Sequence, residues 1–478
     1  RPVWLMNPDV ASRVLPLRRM FDSVIFDEAS QMPVEHALPA LYRGEVLVVS
    51  GDEKQMPPTS FFSSKVENDE ADVVDEDEPE DGATDAEREA QIDTWNRRDI
   101  KDCPDLLHLA REMLPKAMLE IHYRSAYREL IDFSNASFYG SRLNVPVQHP
   151  REKIREARPI EFEFIGGRYD NQSNPAEAKR VSDILQSIWR KPGERPSIGV
   201  VTFNRKQADL IADVLEETAE GDPAFRQTLV AERERVDHGE DMSFFVKNVE
   251  NVQGDERDII IFSTTFGRNE AGAFRRFFGV LGQTGGERRL NVAVTRARRK
   301  ILVVSSMPIG AISDMLITQR AATTPRDYLQ AYLEYARALS AGEFDGVNAL
   351  LSRVAGGRGA AVTGHAAERD GFSDAVANFI QDLGWETQTI DGSSAFGMDL
   401  AIIDPNTGLY GIGIECDAPR HKMLEQARAR EIWRPRVLTG TFPRLHRVSS
   451  KGWYHNPLEE QRALKDAIEL ALGRRERQ

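Results

Sequence analysis

Residues 23–31 read Ser-Val-Ile-Phe-Asp-Glu-Ala-Ser-Gln, a short apolar run broken by two adjacent carboxylates, Asp27 and Glu28. An apolar run of this length reads as a strand buried on both faces, the habit of parallel α/β sheets. In open parallel sheets, ligands sit at the carboxyl ends of the strands. An Asp there can hold Mg²⁺ on nucleotide phosphates, and the next Glu can orient an attacking water. A second run, Val46–Ser50, ends in Gly51-Asp52-Glu53-Lys54-Gln55. As a neighbouring strand it would bring Asp52 and Gln55 beside the first pair. The spacing predicts an α/β fold with parallel strands.

Further along, Asp105–Met113 and Ala126–Ser137 carry apolar residues at i, i+3 and i+4, which predicts helices. A second α/β block spans about 195–307, with strands at Ile198–Phe203, Ile259–Thr264 and Ile301–Ser305 and a helix over Arg205–Glu217. Residues 325–355 read as a helical connector, and the Gly-rich stretch from Gly356 to Gly364 reads as a linker. The expected division is 1–145, 146–310, a connector at 311–367, and a last compact block at 368–478.

At 478 residues and 41% apolar content the chain can bury several cores. Its two cysteines, Cys103 and Cys416, exclude a disulfide framework and a four-thiolate zinc site, and point to a reducing cytoplasm. No apolar run is long enough to span a membrane. The net charge of −14 is concentrated: residues 67–89 hold thirteen acids against one base, Arg88. That run, within an insert at about 66–95, reads as solvated and disordered. The chain begins at Arg1, only some twenty residues before the strand that carries Asp27, and contains no Gly-x-x-x-x-Gly-Lys-[Ser/Thr] phosphate loop. The expectation is that an upstream part of the same protein carries it.

Phosphoryl transfer also needs cations over the γ-phosphate. The candidates are Arg124, in Ile121-His122-Tyr123-Arg124-Ser125, and Arg296, in Asn291-Val292-Ala293-Val294-Thr295-Arg296-Ala297-Arg298. Between them lies Gln253-Gly254-Asp255-Glu256-Arg257-Asp258. Taken in order, these pieces resemble the motifs of superfamily 1B helicases, in the branch related to the nonsense-mediated-decay helicases. The resemblance covers roughly residues 1–307. It implies RecA-like domains, the first one incomplete, and ATP with Mg²⁺ as cofactor. It further implies Asp27 as Mg²⁺ ligand, Glu28 as catalytic base and Gln55 as γ-phosphate sensor, with Asp52 and Gly254 beside the nucleotide. Glu256 would contact the ribose, Gln253 would couple nucleotide state to strand movement, and Arg124 and Arg296 would act as paired fingers. His122 stands where the branch usually has Gln and receives no role.

The last block makes a separate case. Met398-Asp399-Leu400-Ala401-Ile402-Ile403 and Tyr410-Gly411-Ile412-Gly413-Ile414-Glu415 flank a turn signal, Pro405-Asn406-Thr407-Gly408. A turn centred near Thr407 sets Asp399 opposite Glu415, and alternation puts Asp417 on the same face. Three acids on an apolar hairpin repel one another, and Mg²⁺ or Mn²⁺ would remove that penalty. A bulge at Gly411 or Gly413 would shift this register. Preceded by a helix at Phe372–Leu383, the block resembles PD-(D/E)xK nucleases, particularly very short patch repair-like endonucleases. That resemblance implies a restriction-endonuclease-like domain with Asp399, Glu415 and the Cys416 carbonyl as metal ligands. Asp417 stands where the family has Lys, and His421 is the candidate proton carrier. Arg428, Arg430 and Arg434 would face a DNA backbone from one helix. The expected function is an ATP-dependent DNA helicase-nuclease in defence or repair. The alternatives are a catalytically incomplete DNA-binding scaffold and an RNA helicase.

Overall fold

The computed structural model describes residues 3–57, 105–193, 195–356, 370–390, 394–419 and 421–473. The acidic insert, most of the Gly-rich linker and Cys103 lie outside the described residues. The chain forms two compact units, the first from residues up to 119 together with 277–293, the second from 120–276 and from 294 onward.

In the first unit, α1 (Pro8–Val14) leads into β1 (Phe21–Phe26), α2 (Val34–Leu41), β2 (Gly44–Val49) and α3 (Leu106–Met113). The two strands run parallel, with Phe26 beside Val49, as their apolar runs predict. Phe26, Ala29, Ala37, Leu106 and Leu107 form the core. Alternation turns Ile25, Val46 and Val48 the other way, and Ile25 is 68% exposed. Parallel strands are normally covered on both faces, so this pair presents an uncovered apolar face.

The second unit contains a five-stranded, all-parallel sheet of β3 (Ile160–Phe164), β4 (Ile198–Thr202), β5 (Phe245–Asn248), β6 (Arg257–Ser263) and β7 (Ala297–Ser305). Its order is β3-β7-β6-β4-β5. Helices α5 (Pro175–Trp189), α6 (Arg205–Gly221) and α7 (Pro223–Arg233) cover one face through Val181, Leu185, Ile211, Leu215 and Phe225. On the other side α4 (Glu129–Phe138) packs against β7 and α8 (Pro325–Ser340) against β3, and α9 (Phe344–Val354) packs on these two helices. Phe133 of α4 meets the rings of Tyr332 and Tyr335 at 5.2 and 5.7 Å. The segment 120–145, placed by sequence spacing with the first block, therefore packs in the second unit.

Buried Glu129 on α4 has an Oε2 atom without a partner. Burial raises its carboxyl to about 7, with Asp132 adding to the shift. A raised acid holds its proton when folded at pH values where the unfolded chain has lost it. Stability therefore falls as pH rises from about 4.5 to about 7, and stays lower above. Glu129→Gln should raise stability at pH 8 by on the order of 3 kcal/mol, with the gain vanishing near pH 4. Melting curves of both proteins across that pH range would show it.

The terminal sheet contains β8 (Gln388–Ile390), β9 (Met398–Ile403), β10 (Tyr410–Cys416) and β11 (Arg444–Val448), in that spatial order. The first two pairings are antiparallel and the last is parallel. On one face lie α10 (Gly371–Asp382), the short helix Ser450–His455 and a long helix Pro457–Leu472, through Val376, Ile380, Trp453 and Leu464. On the other, Phe396, Met398, Tyr410, Leu438 and Phe442 cluster, with Ile121 packed against them.

Candidate nucleotide and nuclease sites

At the carboxyl ends of β1 and β2, two loops are tied together. Ala29 N–H donates to Ser50 O at 2.9 Å, and Ser50 N–H donates to Phe26 O at 2.8 Å. A Cβ on Gly51 would lie 3.1 Å from Ala29 N, so glycine permits this approach. Asp27 and Glu28 project from the first loop and are exposed. Asp27 Oδ1 accepts from Glu28 N–H at 3.1 Å, and Glu28 takes the left-handed backbone at φ 53°. In the second loop, Asp52 accepts from Lys54 N–H at 2.9 Å and from Gln55 Nε2 at 3.1 Å. The first unit thus gathers Asp27, Glu28, Asp52 and Gln55 at one sheet edge.

The second unit brings Arg124 onto Glu256, and Arg298 joins the same carboxylate at 3.3 Å. Gly254, at φ 87°, Glu256 and Arg298 line a polar cavity of about 410 Å³. Arg296 does not line it: this side chain is 5% exposed, and its Nη2 donates to Thr295 Oγ1 at 2.9 Å. Gln253 sits just before the cavity's Gly254.

In the terminal sheet, Leu400 pairs with Ile414 and Ala401 with Gly413, a register that carries Asp399 opposite Glu415. A shift does occur between Ile402 and Ile403, but it falls on the turn side of these pairs. Asp399 Oδ2 accepts from Cys416 N–H at 2.7 Å, and Oδ1 has no protein partner among the described residues. Burial and the neighbouring Glu415 hold the Asp399 carboxyl above its usual range, against the lowering pull of Arg434. Burial pushes the adjacent Cys416 thiol up to about 12.

Glu415 departs from expectation. Its Oε1 pairs with Arg434 and its Oε2 accepts from Arg447 Nε at 2.8 Å. Two guanidinium groups therefore supply the positive charge that a cation was expected to supply. Asp417 also departs. The strand ends at Cys416, and the backbone at 417 turns left-handed at φ 66°. Its carboxylate accepts from Ser450 N–H at 2.8 Å, away from the face of Glu415. His421 makes no hydrogen bond to Asp399, Glu415 or Asp417 among the described residues; its Nδ1 accepts from Met423 N–H at 3.2 Å. Burial and Lys422 hold its imidazole below the usual range. Arg434 is 1% exposed and faces inward rather than toward a backbone. A π-helical turn spans Ala429–Trp433, and Arg428 and Arg430, two residues apart, point to different sides of a helix.

As a cation site, the patch fits through Asp399: an acceptor pinned by one oxygen, without a protein partner at the other among the described residues, and disfavoured in its charged form by burial. Glu415 does not fit as a ligand in this arrangement. Groups of three or more acidic, His or Cys side chains poised around one metal position are absent among the described residues.

A family model described as an AAA domain matches residues 105–308, and a second model, REase_MTES_1575, matches residues 372–468. Residues 105–308 are thus similar to an AAA-domain family and residues 372–468 to a restriction-endonuclease-like family. It is 37% identical over 303 residues to an uncharacterized ATP-dependent helicase, the MG140 homolog of Mycoplasma pneumoniae. That match covers 63% of this chain and 24% of the relative. The MG140 helicase of Mycoplasma genitalium is 36% identical with the same coverage. The DNA replication ATP-dependent helicase/nuclease DNA2 of Gallus gallus is 24% identical over 297 residues, covering 61% of this chain and 24% of the relative. The chain spans about a quarter of the length of these relatives.

Proposed function

We propose that the chain forms part of a cytoplasmic, ATP-driven DNA helicase whose terminal domain cuts DNA with a divalent cation. The nuclease half is carried by Asp399, a carboxylate held in place by the Cys416 N–H, with its second oxygen unpartnered among the described residues and its charged form disfavoured by burial and Glu415. Asp399 and the Cys416 carbonyl would hold Mg²⁺ or Mn²⁺, which when bound activates water and stabilises charge on phosphate. Arg434 and Arg447 hold Glu415 in register beside it.

In the motor half, Asp27 would hold the Mg²⁺ of ATP and Glu28 would orient water. Gln55 would read the γ-phosphate, with Asp52 supporting it through their 3.1 Å bond. Arg124 and Arg296 would act as paired fingers on the γ-phosphate, Glu256 would contact the ribose with Gly254 beside the nucleotide, and Gln253 would couple nucleotide state to strand movement. Because the 478 residues include no phosphate-cradling loop, this chain by itself is expected to turn over no ATP above background. A turnover lost in Glu28→Gln would contradict that expectation.

DNA is favoured over RNA by the fused very short patch repair-like nuclease, and the architecture suits defence against foreign DNA or DNA repair. The pairing of Glu415 with two arginines favours a second reading, a domain that binds DNA without cutting it. End-labelled DNA and RNA of one sequence, offered to the full chain in Mg²⁺ and in Mn²⁺, separate these readings. Cleavage of DNA alone is expected. Uncut DNA supports the scaffold, and cut RNA overturns the choice of DNA.

A further inference from the structure

Asn144 is 7% exposed and joins three stretches that lie far apart in the chain. Its Oδ1 accepts from Ala395 N–H at 3.0 Å and from Ser394 Oγ at 3.3 Å. Its Nδ2 donates to Glu120 O at 3.2 Å, to Arg142 O at 3.3 Å and to Met423 Sδ at 3.4 Å. Its backbone N–H donates to Glu120 O at 2.7 Å, and its carbonyl accepts from His122 N–H at 3.0 Å. One residue thereby grips the segment that leads into Arg124, the loop that leads into Asp399 and the turn after His421. The Ala395 peptide passes the connection on: its carbonyl accepts from Arg434 Nε at 2.7 Å, and Arg434 also holds Gly397 O and Glu415. At the other end, His122 Nε2 meets Ser125 Oγ at 2.8 Å, on either side of Arg124 and its partner Glu256.

We propose that Asn144 is a positioning residue through which the place of Arg124 sets the place of the loop before Asp399. The proposal rests on the roles given above to Arg124 and Asp399. An amide is suited to this joint because it accepts and donates at once, whereas a carboxylate only accepts and an aliphatic side chain does neither. Its polar atoms are buried and paired, so a shift of residues 120–122 that strips Asn144 of these bonds leaves buried groups unsatisfied. That cost favours movement of the two segments together. Other contacts of the same interface lack this form. Ile121 packs on the apolar cluster, Thr441 Oγ1 donates to Pro146 O at 2.9 Å, and Lys422 meets Glu120 at 3.4 Å on the exposed rim.

The test is amide hydrogen exchange in the full chain, read at residues 394–400, with Arg124→Ala as the distant perturbation. In the otherwise unaltered protein, Arg124→Ala is expected to change exchange there by about three- to tenfold, the range of a modest coupling free energy. In an Asn144→Ala background the same substitution is expected to change nothing. In Asn144→Asp, which keeps the acceptor toward Ala395 and loses only the side-chain donors toward Glu120 O, Arg142 O and Met423 Sδ, protection of 394–400 persists while its response to Arg124→Ala disappears. This variant also serves if Asn144→Ala fails to fold. Thr441→Val, at the same interface, keeps the response. The proposal is overturned if Arg124→Ala leaves 394–400 unchanged in the unaltered protein, or changes it equally with Asn144 replaced. DNA cleavage is scored separately, so the exchange result judges the joint even if the nuclease reading fails.

Discussion

Alanine at Asp399 is expected to lower cation-dependent DNA cleavage by the full chain about a thousandfold, the rate equivalent of ~4 kcal/mol of lost transition-state stabilisation. Binding of DNA should survive, because phosphate contacts by Lys and Arg supply affinity and this carboxylate supplies none. The fold should survive as well. Removing Asp399 leaves the Cys416 N–H without its acceptor, which costs about 1 kcal/mol. The same change relieves a charge that burial and Glu415 disfavour. The two effects oppose each other, so the melting curve should move little. Cleavage kinetics on end-labelled DNA, with binding measured in parallel, check both parts.

Glu415→Ala should behave differently, although Asp399 lies directly opposite it across one hairpin. The change leaves Arg434, 1% exposed, with a buried charge and no carboxylate. Breaking a buried pair from one side costs about 3–5 kcal/mol, a large fraction of the stability of a domain this size. The expected result is loss of the terminal domain's cooperative unfolding transition, or its shift to much lower denaturant. Adding Arg434→Met should recover part of that loss, since the buried charge goes with it. Recovery stays partial because Ala395 O and Gly397 O then lose the donors that Arg434 provided. Urea melts of the three proteins, followed at Trp453 in the terminal core, give the comparison. A Glu415→Ala protein as stable as the parent would contradict the pairing described here.

The features legible in the sequence were those set by local periodicity. The apolar runs before Asp27 and Gly51 became parallel strands, as uniformly apolar runs predict, although their Ile25, Val46 and Val48 face stays exposed rather than buried. The distance of Asp399 and Glu415 from Thr407 gave their register, which survived a bulge because the bulge lies nearer the turn. What the sequence hid depends on non-local pairing. Arg447 lies beside Glu415 through a parallel strand whose residues, Arg444-Leu445-His446-Arg447-Val448, carry no apolar run to announce it. Arg434 turned inward to Glu415, Ala395 O and Gly397 O, partners 19, 39 and 37 residues away that no local pattern announces. Asp417 left the face of Glu415 because alternation ends where the strand ends, one residue earlier. Asn144 gave no local sign, since its partners lie 24, 251 and 279 residues away.

The most direct measurement is cleavage of DNA by the unaltered full chain, first stripped of divalent cations with a chelator and then supplied with Mg²⁺ in rising concentration. Cutting should be absent in the stripped protein, return as a saturable function of Mg²⁺ and stay absent throughout in Asp399→Asn. Cleavage that persists without the cation, or that Asp399→Asn retains, would contradict the assignment of the terminal domain as a cation-dependent nuclease centred on Asp399.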